Sequence, residues 1–291
     1  MKLYINTLRQ LGAAIFIALG LLCLPVTAAE KTATFFDKLQ HRLIDDGFKS
    51  IRIKRLYADQ QVFFESRGVS LYFLHSEATL NYKKMAKRSW IKQGKAYKKL
   101  HAGALHRADA LLGVDPDIIT AIILVETKFG RYLGKRSIIN TLSTMAALTE
   151  SEPREYLWTQ LPKKRRIERN SYDQKADRKA QWAYKELKAF LTYTERHKVD
   201  TVSIKGSYAG ALGIAQFMPS SILAYGRDGN GDGRIDLFEH TDAIFSIASY
   251  LKHFGWKRGI SRKKAYKVIY HYNHSKYYVN SVLKIAGLLK D

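Results

Sequence analysis

The chain is poor in the residues that cross-link or interrupt a fold. It has one cysteine and five prolines among 291 residues. Cys23 lies in the apolar N-terminal segment, so a chain processed beyond that segment has no disulfide, and packing or a bound metal must stabilise it. No linker divides the remaining chain, and no alternating strand series, internal repeat or low-complexity tract occurs. These absences favour a predominantly helical protein with little sheet.

The N-terminus has the layout of a secretory signal peptide. A basic start precedes an apolar run at 11–26, and small residues follow. We expect cleavage after Ala28 or Ala29 and export to the periplasm. A retained anchor helix is the alternative, although the apolar run is somewhat short for a membrane span. A lipoprotein signal places a small residue before its cysteine, and Leu22 is not small, which argues against a lipid anchor.

Acidic residues are also few. Lysine and arginine number 49 against 26 aspartates and glutamates, a formal charge of +23. Such an excess implies an anionic partner, which can be nucleic acid, a membrane surface or an acidic polymer. Export argues against nucleic acid, and no compact basic and aromatic nucleic-acid module stands out. A polymer of the cell envelope is therefore the better candidate, although charge alone does not choose.

The stretch from Asp115 to Gly130 predicts a buried helix with an acid near its end. Asp115 suits the N-cap, Pro116 the first helical position and Gly130 the residue just past the last turn. The residues between them are apolar on nearly every face. Burial and the negative end of the helix dipole would disfavour a charged Glu126, as a general acid requires. The plainer interpretation is a glutamate that reaches solvent or pairs with Arg131.

Three further segments have helical periodicity. The first, at 97–112, predicts one amphipathic helix. Its apolar face would be formed by Leu100, Ala104, Ala108 and Leu111. The segments at 142–148 and 182–197 predict two more helices. The basic run at 163–166 is most simply a solvated face or loop.

A glycine- and alanine-rich stretch spans 206–221. Gly206, Gly210 and Gly213 leave room for a ligand or a second helix to approach the backbone. We expect Gln216 to be the one amide in an apolar helix that ends at Pro219. A buried glutamine needs hydrogen-bond partners, which a substrate amide or hydroxyl would supply. A tight helix crossing, with the amide capping backbone groups, is the equal alternative.

Residues 228–239 match the EF-hand calcium loop position by position. The first, third and fifth positions carry oxygen ligands, the sixth is glycine and the twelfth is an acid. These residues are Asp228, Asn230, Asp232, Gly233 and Glu239. Arg234 at the seventh position would contribute its main-chain carbonyl. We predict a structural calcium ion whose binding replaces the missing disulfides, against the alternative of a turn without an ion.

Aromatic and polar side chains alternate at 271–278, near the C-terminus. Such rings and amides suit sugar rings, whose faces are apolar and whose edges carry hydroxyls. A tyrosine-rich edge of the core is the alternative.

In these motifs the chain resembles the lytic murein transglycosylases of the B type. The matching pieces are Val125-Glu126-Thr-x-Phe-Gly130, Gly206-Ser-Tyr-Ala-Gly-Ala-Leu-Gly213, Gln216-Phe-Met-Pro-Ser-Ser221, the 228–239 loop with Asp242 after it, and Tyr272-Asn-x-Ser275. They occur in the family's order, from about Tyr82 to the C-terminus. The resemblance implies a mainly α fold, with a lysozyme-like helical core, an added helical lobe and a small EF-hand-like calcium-binding lobe. We divide the chain into the signal peptide at 1–29, an N-terminal helical extension at 30–80, and a transglycosylase domain at 81–291 with a helical insertion at about 140–200 and the calcium loop at 228–242.

The resemblance also implies roles for single residues. Glu126 would be the sole catalytic acid and base. The positions that would line the sugar-binding cleft are Ser207, Gln216, Tyr250, Tyr272, Asn273, Tyr278 and, by a weaker alignment, Tyr82. The family's loop-closing calcium ligand aligns with Asp242, whereas the EF-hand count points to Glu239, and we favour Asp242. The family places arginines after the catalytic helix; Arg154 is a candidate, although Glu152-Pro153 departs from the pattern. The implied partners are peptidoglycan strands and other envelope proteins, with no organic cofactor and no nucleic acid, and a monomer is the default expectation.

A single acid limits the chemistry. Hydrolytic glycosidases usually need two carboxylates, and Glu150 and Glu152 lie in a polar run rather than beside Glu126. One acid suffices if the substrate supplies its own nucleophile, as in closure of a 1,6-anhydromuramyl ring. The alternatives are a hydrolytic muramidase, a non-catalytic peptidoglycan-binding or secretion-accessory protein, and a basic protein that acts on membranes or nucleic acid.

Overall fold

The computed structural model of the chain describes residues 34–74, 85–163, 166 and 168–290. The predicted signal peptide at 1–29 and the candidate sugar-binding residue Tyr82 lie outside these ranges. Within them, no helix is both long enough and apolar enough to cross a bilayer. The predicted mainly helical class is confirmed, since the sheet consists of one pair of two-residue strands.

The helices follow a short 3-10 turn at Thr34–Phe36. They are α1 (Asp37–Asp45), α2 (Ser50–Tyr57), α3 (Ser66–Leu74), α4 (Arg88–Leu100), α5 (Ala102–Leu112), α6 (Pro116–Thr127), α7 (Ile138–Ala147), α8 (Ser151–Gln160), α9 (Arg169–Arg196), α10 (Pro219–Tyr225), α11 (His240–His253), α12 (Arg262–Tyr272) and α13 (Lys276–Lys290). The strands β1 (Arg136–Ser137) and β2 (Lys205–Gly206) pair antiparallel, with Arg136 opposite Gly206.

Helix α6 lies at the centre of one half of the core, as the sequence predicts. The Asp115 carboxylate caps it by accepting a hydrogen bond from the Asp117 amide, and Pro116 occupies its first turn. Its residues from Asp117 to Leu124 are buried against α4, α5, α11 and α13. An apolar helix enclosed on all sides is a rigid support for the acid at its end.

Helix α7 is the centre of the other half and is buried along its whole length. Three of its polar side chains hold the chain that precedes α3. Asn140 Nδ2 donates to the Gln61 carbonyl at 2.8 Å, and Thr144 Oγ1 accepts from the Glu65 amide at 2.8 Å. Ser143 Oγ is 2.8 Å from the Tyr57 hydroxyl. These bonds satisfy polar groups that burial would otherwise penalise, and they join α7 to the segment at 57–65.

The single helix predicted at 97–112 is wrong. The chain leaves the helical conformation at His101 (φ −106°, ψ 23°), which separates α4 from α5. Ala104 and Ala108 are buried as predicted, whereas Leu100 and Leu111 are 78% and 72% exposed. The break rotates α5 relative to α4, so one continuous apolar stripe does not form.

Candidate active site

Glu126 lies in the last turn of α6 and is half-buried. The Tyr278 hydroxyl, from the first turns of α13, donates a hydrogen bond to Glu126 Oε1 at 2.6 Å. Tyr278 is itself only 1% exposed, so this donor is fixed by packing. The guanidinium of Arg131 donates to Gln93 instead of serving as a counter-ion for the acid.

Three tyrosines form an aromatic wall beside Glu126. The ring of Tyr272 lies parallel to that of Tyr278, with centroids 6.3 Å apart, and Tyr250 meets Tyr272 edge-on at 5.0 Å. Burial, followed by the charge of Glu126, raises the pKa of Tyr272 well above its usual value. Tyr272 therefore stays protonated, and its hydroxyl donates to the Ala215 carbonyl at 2.6 Å. Burial raises the pKa of Tyr250 to about 12.

The chain after Glu126 makes a left-handed turn. Lys128, Phe129 and Gly130 have φ of 50°, 62° and 82°, and only the glycine adopts such angles without cost. The buried Thr127 hydroxyl holds this turn by accepting from the Gly130 amide at 3.0 Å and donating to the Ile214 carbonyl at 3.1 Å. Left-handed non-glycine residues held by their surroundings concentrate at functional sites.

Gln216 lies in a loop, and the helix predicted around it is wrong. Gln216 itself has φ 48°, a left-handed conformation that no right-handed helix contains, and Pro219 begins α10 rather than ending a helix. The side-chain nitrogen Nε2 of Gln216 donates to the Gly213 carbonyl at 2.9 Å and to the Leu133 carbonyl at 3.4 Å. Gln216 therefore connects its own loop to the turn that follows Glu126.

The glycines of the 206–213 stretch let backbone and side chains pack closely. A Cβ on Gly206 would lie 2.2 Å from the Ala211 carbonyl oxygen, and one on Gly213 would lie 2.5 Å from Leu237 Cβ. The space that these glycines leave is therefore filled by other parts of the protein. The Ser207 hydroxyl accepts from the Ala211 amide at 3.0 Å and so fixes the same turn.

Other candidate residues lie at the ends of helices. Asn273 is the C-cap residue of α12, and its carbonyl accepts from the Ser275 amide at 2.8 Å. Arg154 is bonded to the Leu148 carbonyl at 2.8 Å and paired with Asp177, which places it between α8 and α9.

The 228–239 loop has the shape of its motif. Gly231 and Gly233 have φ of 83° and 84°, and the Asp228 carboxylate accepts from both of their amides. The donor set of an EF-hand loop fits calcium, because calcium is coordinated by oxygens of carboxylates, side-chain amides and main-chain carbonyls. Among the described residues, however, no three carboxylate, imidazole or thiol groups converge as a preformed metal cage.

The two candidate closing acids have different positions. Glu239 caps α11 by accepting from the Thr241 and Asp242 amides at 2.6 and 3.1 Å. Asp242 is fully buried at the base of the loop, where it accepts from the Gly229 and Asp236 amides, both at 2.8 Å. Burial raises the pKa of Asp242, and a cation in the loop would favour its charged form.

The loop is also joined to the acid. The Ile214 amide donates to the Leu237 carbonyl at 2.7 Å, and the Ile214 carbonyl accepts from Thr127, the neighbour of Glu126. Sequence reasoning missed this connection and the role of Thr127. A hydroxyl residue inside an otherwise apolar helix was the available signal.

A half-buried acid beside an aromatic wall can offer a proton donor and apolar ring faces to one ligand. The sequence profile described as Transglycosylase SLT domain matches residues 31–263, and the chain belongs to this family. The resemblance to lytic murein transglycosylases is thereby confirmed.

Relatives and solved structures agree with this assignment. Membrane-bound lytic murein transglycosylase B of Escherichia coli K12 is 36% identical over 169 residues, which are 58% of this chain and 39% of that protein. The match therefore spans well under half of the relative. Soluble lytic transglycosylase SltB1 from Pseudomonas aeruginosa is 26% identical, with a TM-score of 0.69 over 88% of this chain and 97% of its own. Escherichia coli lytic transglycosylase Slt35, solved in complex with calcium, is 25% identical, with a TM-score of 0.68 over 91% and 94%. The predicted lysozyme-like helical fold is confirmed by these likenesses.

Proposed function

We propose that the protein is an exported lytic transglycosylase that cleaves peptidoglycan between N-acetylmuramic acid and N-acetylglucosamine. The observation that carries this proposal is the half-buried Glu126 carboxyl, hydrogen-bonded by Tyr278 and bordered by the parallel ring of Tyr272. Membership of the transglycosylase family supports the same activity.

In the proposed reaction Glu126 first acts as an acid. It protonates the oxygen that links the two sugars, while the 2-acetamido group of the muramyl residue stabilises the positive charge that develops at C1. The carboxylate then accepts the proton of the C6 hydroxyl as that oxygen closes onto C1. The new end is a 1,6-anhydromuramyl ring, and no water is consumed. Attack from within one ring has a high effective concentration, which removes the need for a second carboxylate.

The hydrogen bond from Tyr278 has a definite place in this sequence. Between the two proton transfers Glu126 carries a negative charge, and an O–H donor 2.6 Å away stabilises it. Because burial holds Tyr272 protonated, its ring borders the acid as a neutral, partly apolar surface suited to a sugar face. We assign Ser207, Gln216, Tyr250 and Asn273 to positioning the substrate, in line with the family motifs.

We further propose that the 228–239 loop binds calcium in a structural role. The ligands would be side-chain oxygens of Asp228, Asn230 and Asp232, the Arg234 carbonyl, and Asp242 rather than Glu239. Asp242 is preferred because it lies at the base of the loop, whereas Glu239 caps α11. The Slt35 structure with calcium supports the assignment. Periplasmic location follows from the N-terminal sequence and the envelope polymer as substrate.

Digestion of purified sacculi, followed by mass spectrometry of the released fragments, tests the activity. Anhydromuramyl ends are expected from the wild-type chain and none from Glu126→Gln, which should fold normally. Glu195→Gln, a change at an exposed acid paired with Arg52, is the matched control and should retain activity. Reducing ends that carry an added water would identify a hydrolytic muramidase. Binding to sacculi without released fragments would identify a non-catalytic protein.

A further inference from the structure

A groove of about 300 Å³ lies on the outer side of α12. It is lined by Tyr266, Lys267, Tyr270, His271 and Lys276. On a helix of 3.6 residues per turn, the first four point away from the face that carries Val268, Ile269 and Tyr272. The groove therefore lies on the opposite side of α12 from the aromatic wall beside Glu126, and the roles assigned above do not use it.

The floor of the groove is aromatic. Tyr266 and Tyr270 are one helical turn apart, with ring planes within 12° of parallel and centroids 6.4 Å apart. Both rings are half-buried, so packing fixes their orientation while part of each stays accessible. Ordered, partly exposed rings bind sugar faces at low entropic cost, because little side-chain freedom is left to lose.

The rim of the groove is cationic. Lys267 and Lys276 are exposed, and within the described part of the chain neither forms an ion pair. Two ammonium groups beside parallel rings complement a ligand with apolar faces and carboxylates. Peptidoglycan has this chemistry, since its sugar rings have apolar faces and the peptides attached to its lactyl groups carry carboxylates.

The groove is connected to the active site through one helix. The Tyr250 hydroxyl, part of the aromatic wall, donates to the His271 carbonyl at 2.7 Å, and His271 stacks on Phe254 with centroids 4.5 Å apart. A glycan held in the groove would keep neighbouring strands of the same polymer close to the wall on the other side of α12.

We propose that this groove is a second peptidoglycan-binding site, which holds the polymer away from Glu126. The proposal rests on the proposed function for its choice of ligand. Tyr266 and Tyr270 contact sugar faces, and Lys267 and Lys276 pair with carboxylates of the same polymer. The groove raises the residence time on sacculi without taking part in bond cleavage. A membrane surface is a poorer match, because the five lining residues include no aliphatic side chain.

The test measures binding of full-length Glu126→Gln protein to purified sacculi by co-sedimentation, so turnover does not intervene. Adding Tyr266→Ala with Lys267→Ala should weaken binding about tenfold, through loss of one ring and one charge. Lys263→Ala, which removes another exposed charge from the same helix outside the groove, should leave affinity unchanged. Tyr266→Phe should also bind normally, because the ring is kept. Thermal unfolding confirms that each variant is folded.

Unchanged affinity in the double variant would overturn the proposal, as would an equal loss in Lys263→Ala. Tighter binding to single-stranded DNA than to sacculi, weakened by the same double variant, would overturn it in favour of a nucleic-acid site. Failure of the proposed function is distinguishable, because it appears as absence of fragments from the wild-type chain, whereas failure of the groove appears only in sedimentation.

Discussion

Thr127→Val tests whether one hydroxyl holds the turn behind the acid. Thr127 is fully buried, and its Oγ1 accepts a hydrogen bond from the Gly130 amide and donates one to the Ile214 carbonyl. Valine has nearly the same shape but leaves both backbone groups unpaired, at about 1–3 kcal/mol each. We expect the free energy of unfolding to fall by about 2–6 kcal/mol, and the melting temperature to fall by roughly 4–24 °C for a chain of this size.

Thr127→Ser is the matched control for this change. Serine keeps the hydroxyl and loses one methyl group, a cost of about 1 kcal/mol. Thermal unfolding followed by circular dichroism compares the two variants. The valine variant should also lose activity on sacculi, because the hydroxyl no longer links the turn and the Gln216 loop. If valine proves as stable as serine, the hydroxyl does not hold the turn and this reasoning fails.

Three further predictions concern other contacts of the fold. Gly213→Ala should cost more than about 2 kcal/mol, because the added Cβ would lie 2.5 Å from Leu237 Cβ. Gly231→Ala, with nothing within 4 Å of its Cβ, should cost only the left-handed penalty of about 1–2 kcal/mol. Equal losses of stability for the two variants in urea unfolding would contradict this difference in packing. Burial, followed by the charge of Arg196, lowers the pKa of His197, whose Nδ1 accepts from the Ile235 amide. His197 therefore binds a proton more readily in the unfolded state than in the folded state, so the free energy of unfolding should fall as pH drops below about 6.5. A His197→Asn variant whose free energy of unfolding falls equally steeply with pH would count against this. Calcium at about 100 times its dissociation constant should add about 2.7 kcal/mol, and a chelator should lower the melting temperature of the wild-type chain but not of Asp242→Asn; no response in the wild-type chain would exclude the site.

Local chemistry explains the parts of the fold that the sequence predicted. Asp115 and Pro116 define the start of α6 whatever surrounds it, and the run of apolar residues after them requires burial. Gly233 adopts the left-handed angle, φ 84°, that suits the sharp turn at the sixth position of its motif. In each case the information lies within a few residues of the feature it determines.

The errors arose where distant contacts decide the conformation. Gln216 adopts φ 48° because the Gly213 backbone is held against Leu237 and the amide reaches Leu133, and neither partner is near in sequence. An apolar stretch with one amide is typical of a helix when it is considered in isolation, and for this reason the predicted helix around Gln216 was wrong. The contact between Tyr278 and Glu126 likewise spans 152 positions. Family resemblance placed both residues in one site, but it did not predict that one hydrogen-bonds the other.

In the proposed reaction Glu126 alone transfers the proton in both directions while the substrate supplies the nucleophile. Digestion of sacculi in water enriched in heavy oxygen, with mass analysis of every new muramyl end, tests it directly. We expect anhydromuramyl ends that contain no solvent oxygen. One heavy oxygen on each new end would show that water is the nucleophile and that the anhydro mechanism is wrong.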